Sequence, residues 1–180
     1  FAGQAADFFE RTVARIYHGY QNRLRQNDAL DFDDLLLVTA RLLRHHEGVR
    51  DELQGRYQYV LVDEYQDTNH AQFVIASSIA ARHRNICVVG DPDQSIYAWR
   101  GADISNILEF EEQFAGARVI PLGENFRSTK YIISVADTLI QHNRRRKHKA
   151  LYTSLDDGER PKIITCQDER QEAEVIVALG

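Results

Sequence analysis

Between about residues 5 and 26, apolar side chains recur at Phe9, Val13, Ile16, Tyr17, Tyr20 and Leu24. Steps of three and four mark one face of an amphipathic helix, with Arg11, Arg15, Gln21, Arg23 and Arg25 largely off that face. Asn27-Asp28 breaks the pattern, and Leu30-Asp31-Phe32-Asp33-Asp34 opens a second helix with Leu35, Leu36, Leu42 and Leu43 inward. Acidic residues at a helix start cap free amides and suit the macrodipole, which explains this cluster structurally. His45-His46-Glu47-Gly48 is expected to end the helix, and adjacent histidines on a helix diverge too far to share a metal.

The pattern then shortens. Tyr59-Val60-Leu61-Val62 is an apolar run bounded by polar residues, the mark of a buried strand in a parallel sheet. Thr68 or Asn69 caps a helix to about Arg82, with Phe73, Ala76, Ile79 and Ala80 toward a core. Asn85-Ile86-Cys87-Val88-Val89 reads as a second strand. A helix from about Ser105 to Phe114, capped by Asp103, follows. Arg118-Val119-Ile120-Pro121-Leu122 reads as a third strand, its proline suggesting an end or an edge. Ser128 caps a further helix carrying Ile132, Ile133, Ala136, Leu139 and Ile140. The basic run Arg144 to Lys149 ends it, a loop spans residues 153–161, and a strand (162–166) and a helix (168–179) close the chain.

Strand, helix, strand, helix, strand at intervals of roughly 30 residues is the rhythm of right-handed βαβ units, so an α/β fold with a parallel sheet is expected. Each strand is followed by a polar cluster: Asp63-Glu64, then Asp91 to Arg100, then Glu124 to Arg127. In such a sheet all three emerge at the carboxyl edge, where ligands bind. One carboxylate of the Asp63-Glu64 pair suits a magnesium ion and the other suits a proton taken from an attacking water, as in a Walker B site. The alternative is a strand that ends in an acidic turn.

Composition changes this picture little. The 180 residues are 43% hydrophobic and 27% charged, as in a soluble globular protein. No apolar stretch approaches the roughly 18 residues of a membrane span. Cys87 and Cys166 lack CxxC spacing, so a reducing, cytoplasmic setting is expected. The net charge of −5 argues against a basic coat for duplex DNA, yet leaves room for a local groove. Without methionine, and running from Phe1 to Gly180, the chain is expected to be a piece of a longer protein. The run from Arg144 to Lys149 suits a helix C-terminus or a solvated surface, with DNA contact as the alternative.

Three segments together resemble motifs of superfamily 1A DNA helicases, the UvrD, PcrA and Rep group. They are Asp63-Glu64-Tyr65-Gln66-Asp67-Thr68-Asn69, the stretch from Val89 to Ala102, and Glu124-Asn125-Phe126-Arg127-Ser128-Thr129. Leu30 to Leu36 also looks like the segment by which that family's chain returns to its first RecA-like domain. The resemblance implies a RecA-like, P-loop NTPase fold. Residues 1–29 would be the helical end of an inserted subdomain, 30–125 the C-terminal part of the first RecA-like domain, and 126–180 the start of a second.

It also implies roles. Asp63 would hold Mg2+ and Glu64 would orient and deprotonate the attacking water. Gln94 would sense the ATP γ-phosphate, Arg127 would stabilise the transferring phosphoryl group, and Phe126 would stack on adenine. Tyr97 and Trp99, alternating on one side of an extended segment, would stack on bases of single-stranded DNA, with Arg100 at a phosphate or beside the rings. The implied activity is an ATP-driven 3′ to 5′ helicase acting at duplex–single-strand junctions in repair or replication, with ATP between two RecA-like domains.

None of the ten glycines is followed by lysine, so the loop GxxxxGK[ST] is missing, as is the family's later arginine motif. The chain alone is therefore expected to bind ATP weakly, without useful hydrolysis, and to need the remainder of its polypeptide. Two rivals are a non-catalytic module that binds single-stranded DNA or a partner, and a magnesium-dependent nuclease or phosphatase built on Asp63, Glu64, Asp91 and Asp93. The nuclease leaves Gln94, Trp99 and Arg127 unused.

Overall fold

The computed structural model describes residues 7–147 and 149–179; the expected helix start at residue 5 and His148 of the basic run lie outside the described residues. Internal contacts divide the chain into two units, residues 1–117 and 118–180.

The first unit begins with three helices, α1 (Phe8–Gln26), α2 (Phe32–His45) and α3 (Glu47–Arg56). Asp7 caps α1 through the Glu10 N–H, and Asp31 caps α2 through the Asp34 N–H at 2.8 Å, the role its place before an apolar run suggests. Asp31 also accepts the Tyr20 hydroxyl at 2.8 Å, tying α1 to the start of α2. The backbone N–H of Asp34 first, and Tyr20 second, hold the Asp31 carboxyl below its usual range.

Helix α3 is unexpected. The chain turns only at His46 and winds again at once, although few residues of α3 are apolar. Its buried Gln54 explains its position, donating to the Ser78 carbonyl at 2.7 Å while its own carbonyl lies 3.0 Å from His83 Nε2.

Strands β1 (Val60–Val62) and β2 (Ile86–Val88) pair in parallel, with Val60 opposite Ile86 and Val62 opposite Val88. Helix α4 (His70–Ala80) connects them and packs on α2, α3 and β1. Asn69 and Gln72 form a reciprocal capping box at its start. Beyond β2 the chain makes two short helices, α5 (Ser105–Leu108) and α6 (Phe110–Gln113), where one continuous helix is expected. Asp103 Oδ1 accepts the Ser105 N–H, but the cap position of α5 is Ile104, which makes no side-chain cap, and the helical hydrogen bonding breaks at Glu109. The core of this unit gathers Leu43, Tyr65, Val74, Ala80 and Ile107.

Strand β1 departs from the sequence pattern, because it is not buried on both faces: Val60 and Val62 are half-buried, whereas Leu61 is 77% exposed. Apolar character on both faces marks a strand suited to cover on both sides, and here one face is covered.

In the second unit, α7 (Lys130–Ile140) and α8 (Glu169–Leu179) are the helices. Thr129, not Ser128, occupies the N-cap position of α7, and it makes no side-chain cap. The strands expected at 118–122 and 162–166 do not form. Both segments run without a ladder, Ile163 is 97% exposed, and the described pairing in this unit is one parallel bridge between Glu124 and Tyr152. A strand needs a neighbour for its N–H and C=O groups, and an apolar run supplies only the side chains. The architecture is thus helix-rich α/β with a two-stranded parallel sheet. Among the described residues no helix is long and apolar enough to cross a membrane.

Candidate functional site

Asp63 and Glu64 leave the carboxyl end of β1, and the chain then turns through a short 3₁₀ helix, Tyr65–Asp67. Glu64 adopts the left-handed conformation (φ 49°, ψ 43°), which costs a non-glycine residue about 1–2 kcal/mol. Its neighbours impose it. The Glu64 N–H donates to Asp63 Oδ1 at 2.9 Å, and the Tyr65 N–H donates to the Val89 carbonyl at 3.0 Å across to the end of β2. The Tyr65 ring is fully buried, edge-on to Phe110 at 5.7 Å, and burial raises the pKa of its hydroxyl.

Gln66, 1% exposed, is the hub of the turn. Its Nε2 donates to Glu64 Oε2 at 2.8 Å and to Asp67 Oδ2 at 3.2 Å. Its Oε1 accepts the Asp91 N–H at 2.9 Å, and its backbone carbonyl accepts the Ser95 hydroxyl at 3.4 Å. The approach of β2's exit to this amide requires Gly90, because a Cβ there would lie 2.5 Å from Gln66 Oε1. Asp91 then organises the 3₁₀ turn Pro92–Gln94: Oδ1 accepts the Asp93 N–H at 3.0 Å and Oδ2 accepts Gln94 Nε2 at 2.8 Å. A second tie runs from Thr68, whose carbonyl accepts the Asp103 N–H and Asn106 Nδ2, each at 3.0 Å.

Asp63, Glu64 and Gln94 are therefore brought to one edge of the sheet, all exposed. Of the three polar clusters expected at a shared edge, the first two follow strands of this sheet. The third lacks its strand, and Phe126 and Arg127 belong to the second unit.

The aromatic pair follows Gln94 directly. Tyr97 and Trp99 lie with ring centroids 6.3 Å apart and planes at 50°. They do not alternate on an extended segment as expected, because Ala98–Arg100 is a 3₁₀ turn, closed by Gly101 at φ 85°. Trp99 is 79% exposed. The Arg100 guanidinium stands 5.4 Å from the Trp99 ring centre and 5.7 Å from that of Tyr97, a cation–π contact with both. The turn replaces side-by-side alternation with a compact, outward-facing cluster.

In the second unit, Asn125 Oδ1 accepts the N–H groups of Arg127 (3.0 Å) and Ser128 (2.8 Å), an Asx turn that leaves the Phe126 and Arg127 side chains exposed. Gly123 admits the chain behind it, since a Cβ there would lie 2.5 Å from the Ala150 carbonyl oxygen. In the basic run, Arg144 and Arg145 are exposed and Arg146, Lys147 and Lys149 half-buried.

Gln66 and Asn125 are organising residues that do not stand out in the sequence, and Asp91, one of the carboxylates of the nuclease or phosphatase alternative, organises the Gln94 turn instead. A signal exists for the first: an amide two residues beyond one carboxylate and adjacent to another, just after a strand, is placed to hold both.

Two family models match the chain. The UvrD/REP helicase N-terminal domain matches residues 2–115, and the UvrD-like helicase C-terminal domain matches residues 120–179. Among curated proteins, the ATP-dependent DNA helicase PcrA of Staphylococcus epidermidis is 47% identical over 174 residues, covering 97% of this chain. That of Staphylococcus aureus is 46% identical over the same length. The chain spans 24% of the length of each of these relatives.

Proposed function

The chain belongs to the UvrD/REP helicase family, and from that premise we propose that it is part of an ATP-dependent DNA helicase motor moving on single-stranded DNA. The observation that carries the reading is the hydrogen-bonded path from Glu64 through Gln66 and Asp91 to Gln94, next to the exposed Tyr97–Trp99–Arg100 cluster. It links carboxylates suited to phosphate chemistry with rings suited to stacking on bases.

Glu64 is the proposed base. Gln66 engages its Oε2, so Oε1 is the oxygen that takes the proton of an attacking water. Gln94, an exposed amide that both donates and accepts, contacts the γ-phosphate. Arg127 stabilises the transferring phosphoryl group through its planar fork of donors, and Phe126 offers its exposed ring to adenine. Tyr97 and Trp99 stack on bases and Arg100 meets the backbone phosphates. Duplex–single-strand junctions and 3′ to 5′ movement belong to the same proposal.

The donor set at Asp63 fits magnesium. That ion keeps several waters and needs only one or two protein carboxylates beside the phosphates. Asp63 uses one oxygen for the Glu64 N–H, and among the described residues no three His, Cys, Asp or Glu side chains gather into a closed cage. Bound there, magnesium supplies positive charge against the triphosphate oxygens.

The proposed layout is RecA-like. Residues 1–29 end an inserted subdomain, 30–125 complete the first RecA-like domain, and 126–180 begin the second. The division by internal contacts, after Ala117, falls a few residues earlier. Further strands of each sheet come from the remainder of the polypeptide. Neither rival reading, the non-catalytic module or the nuclease, gives the Glu64–Gln94 path a use.

The test is ATP turnover by the intact polypeptide with and without single-stranded DNA. DNA-stimulated turnover abolished by Glu64→Gln is the expected result. DNA cleavage with magnesium and no ATP would overturn the proposal, as would ATP turnover by the isolated 180 residues that survives Glu64→Gln.

A further inference from the structure

We infer that Gln66 is a positioning residue that couples the base Glu64 to the phosphate-sensing turn carrying Gln94, an inference that rests on the helicase reading above. Its carboxamide is used at both ends. The amide nitrogen holds Glu64 Oε2 at 2.8 Å, and the amide oxygen holds the Asp91 N–H at 2.9 Å. Asp91 passes the constraint on through Oδ2 to Gln94 Nε2 at 2.8 Å.

The geometry leaves little slack. Gln66 is 1% exposed, its Oε1 lies 2.5 Å from where a Cβ on Gly90 would sit, and its backbone carbonyl takes the Ser95 hydroxyl two residues before Tyr97. A displacement of the Gln94 turn therefore moves Asp91, and the buried amide must follow or leave a buried polar group unmatched. Either outcome changes the orientation of the Glu64 carboxylate. The amide has a donor end and an acceptor end, and the two partners require opposite ends. Only glutamine, with this reach, answers both. Gln66 touches neither water nor nucleotide in this account and acts through Glu64 and Asp91.

The experiment is a double-mutant cycle on the intact polypeptide, measuring kcat and KM for ATP at saturating single-stranded DNA. Gln66→Met keeps the shape and removes the side-chain hydrogen bonds to Glu64, Asp67 and Asp91. It is expected to lower kcat by about tenfold or more while KM changes less than about twofold, the split of an interaction that matters in the transition state. Combined with Gln94→Ala, the loss is expected to stay within about twofold of the worse single variant, since both interrupt one path. If Gln66→Met reduces the folded fraction, kcat is referred to the folded concentration read by circular dichroism, and the same expectation applies. Wild-type protein without DNA-stimulated turnover would remove the helicase reading itself. Active wild type with an unchanged kcat in Gln66→Met, or with fold losses at 66 and 94 that multiply, would overturn this inference alone.

Discussion

Replacing Gly90 by alanine tests the tightness of the contact between the two strand ends. The added Cβ would meet Gln66 Oε1 at 2.5 Å, Ile107 Cδ1 at 2.9 Å and the Tyr65 backbone nitrogen at 3.1 Å. The first two lie closer than carbon atoms tolerate. Tyr65 N cannot retreat, because it is hydrogen-bonded to the Val89 carbonyl. Ile107 is buried and must repack, and Gln66 must swing away from the Asp91 N–H. Overpacking of this kind costs about 1–3 kcal/mol, and the lost hydrogen bond adds about 1 kcal/mol. The expected destabilisation is therefore about 2–4 kcal/mol, read as a lower urea midpoint with an unchanged slope. Gly19→Ala is the control. Gly19 lies within α1 with nothing within 4 Å of the added carbon, so alanine there should stabilise by roughly 0.5–1 kcal/mol. A Gly90→Ala protein within about 0.5 kcal/mol of wild type would refute the reasoning, because the ordinary scatter of surface substitutions is that size.

Trp99→Ala should weaken single-stranded DNA binding by about 5- to 150-fold, the equivalent of about 1–3 kcal/mol per stacked base; fluorescence anisotropy measures it. As the one tryptophan of the chain, Trp99 should also report binding by quenching of its own emission, and unchanged emission on saturation would count against stacking. Tyr65→Phe removes a buried hydroxyl that has no hydrogen-bond partner among the described residues, so its melting temperature should stay level or rise; a fall would reveal a partner for that oxygen. Because Asp31 is held below its ordinary value of 3.8, its contribution is present above the unfolded value and is lost as pH falls through the lower, folded one. Amide protection at the start of α2, taken relative to the intrinsic exchange rate at each pH, should therefore fall on acidification into that range, and Asp31→Asn should remove this pH dependence.

Much of the first unit was legible because its elements declare themselves locally. The three-and-four spacing of α1, the Asn69 cap of α4 and the apolar runs of β1 and β2 each need only neighbouring residues to be read. Helix α3 escaped because its sequence has few apolar positions and it is placed by polar ties, from Gln54 to Ser78 and His83 and from Arg50 to the Leu43 carbonyl. The strands at 118–122 and 162–166 failed for the opposite reason: their apolar runs are genuine, but a strand is a relation between two segments, and periodicity describes one. The candidate site divides in the same way. Asp63, Glu64, Gln94, Tyr97, Trp99, Phe126 and Arg127 stand out by chemical type and order. Gln66 and Asp91 matter through contacts about 25 residues apart in sequence, which spacing along the chain does not show.

The left-handed backbone at Glu64 separates two kinds of selection. Glycine at position 64 would relieve the conformational strain of about 1–2 kcal/mol while giving up the Gln66 hydrogen bond, worth roughly 1 kcal/mol, so the folded protein would be about as stable as before. A library sorted for expression or heat resistance would accept Glu64→Gly, and the same library sorted for ATP turnover would reject it. The ratio of the two survival scores at one position thus measures how far the carboxylate is kept for chemistry and not for architecture.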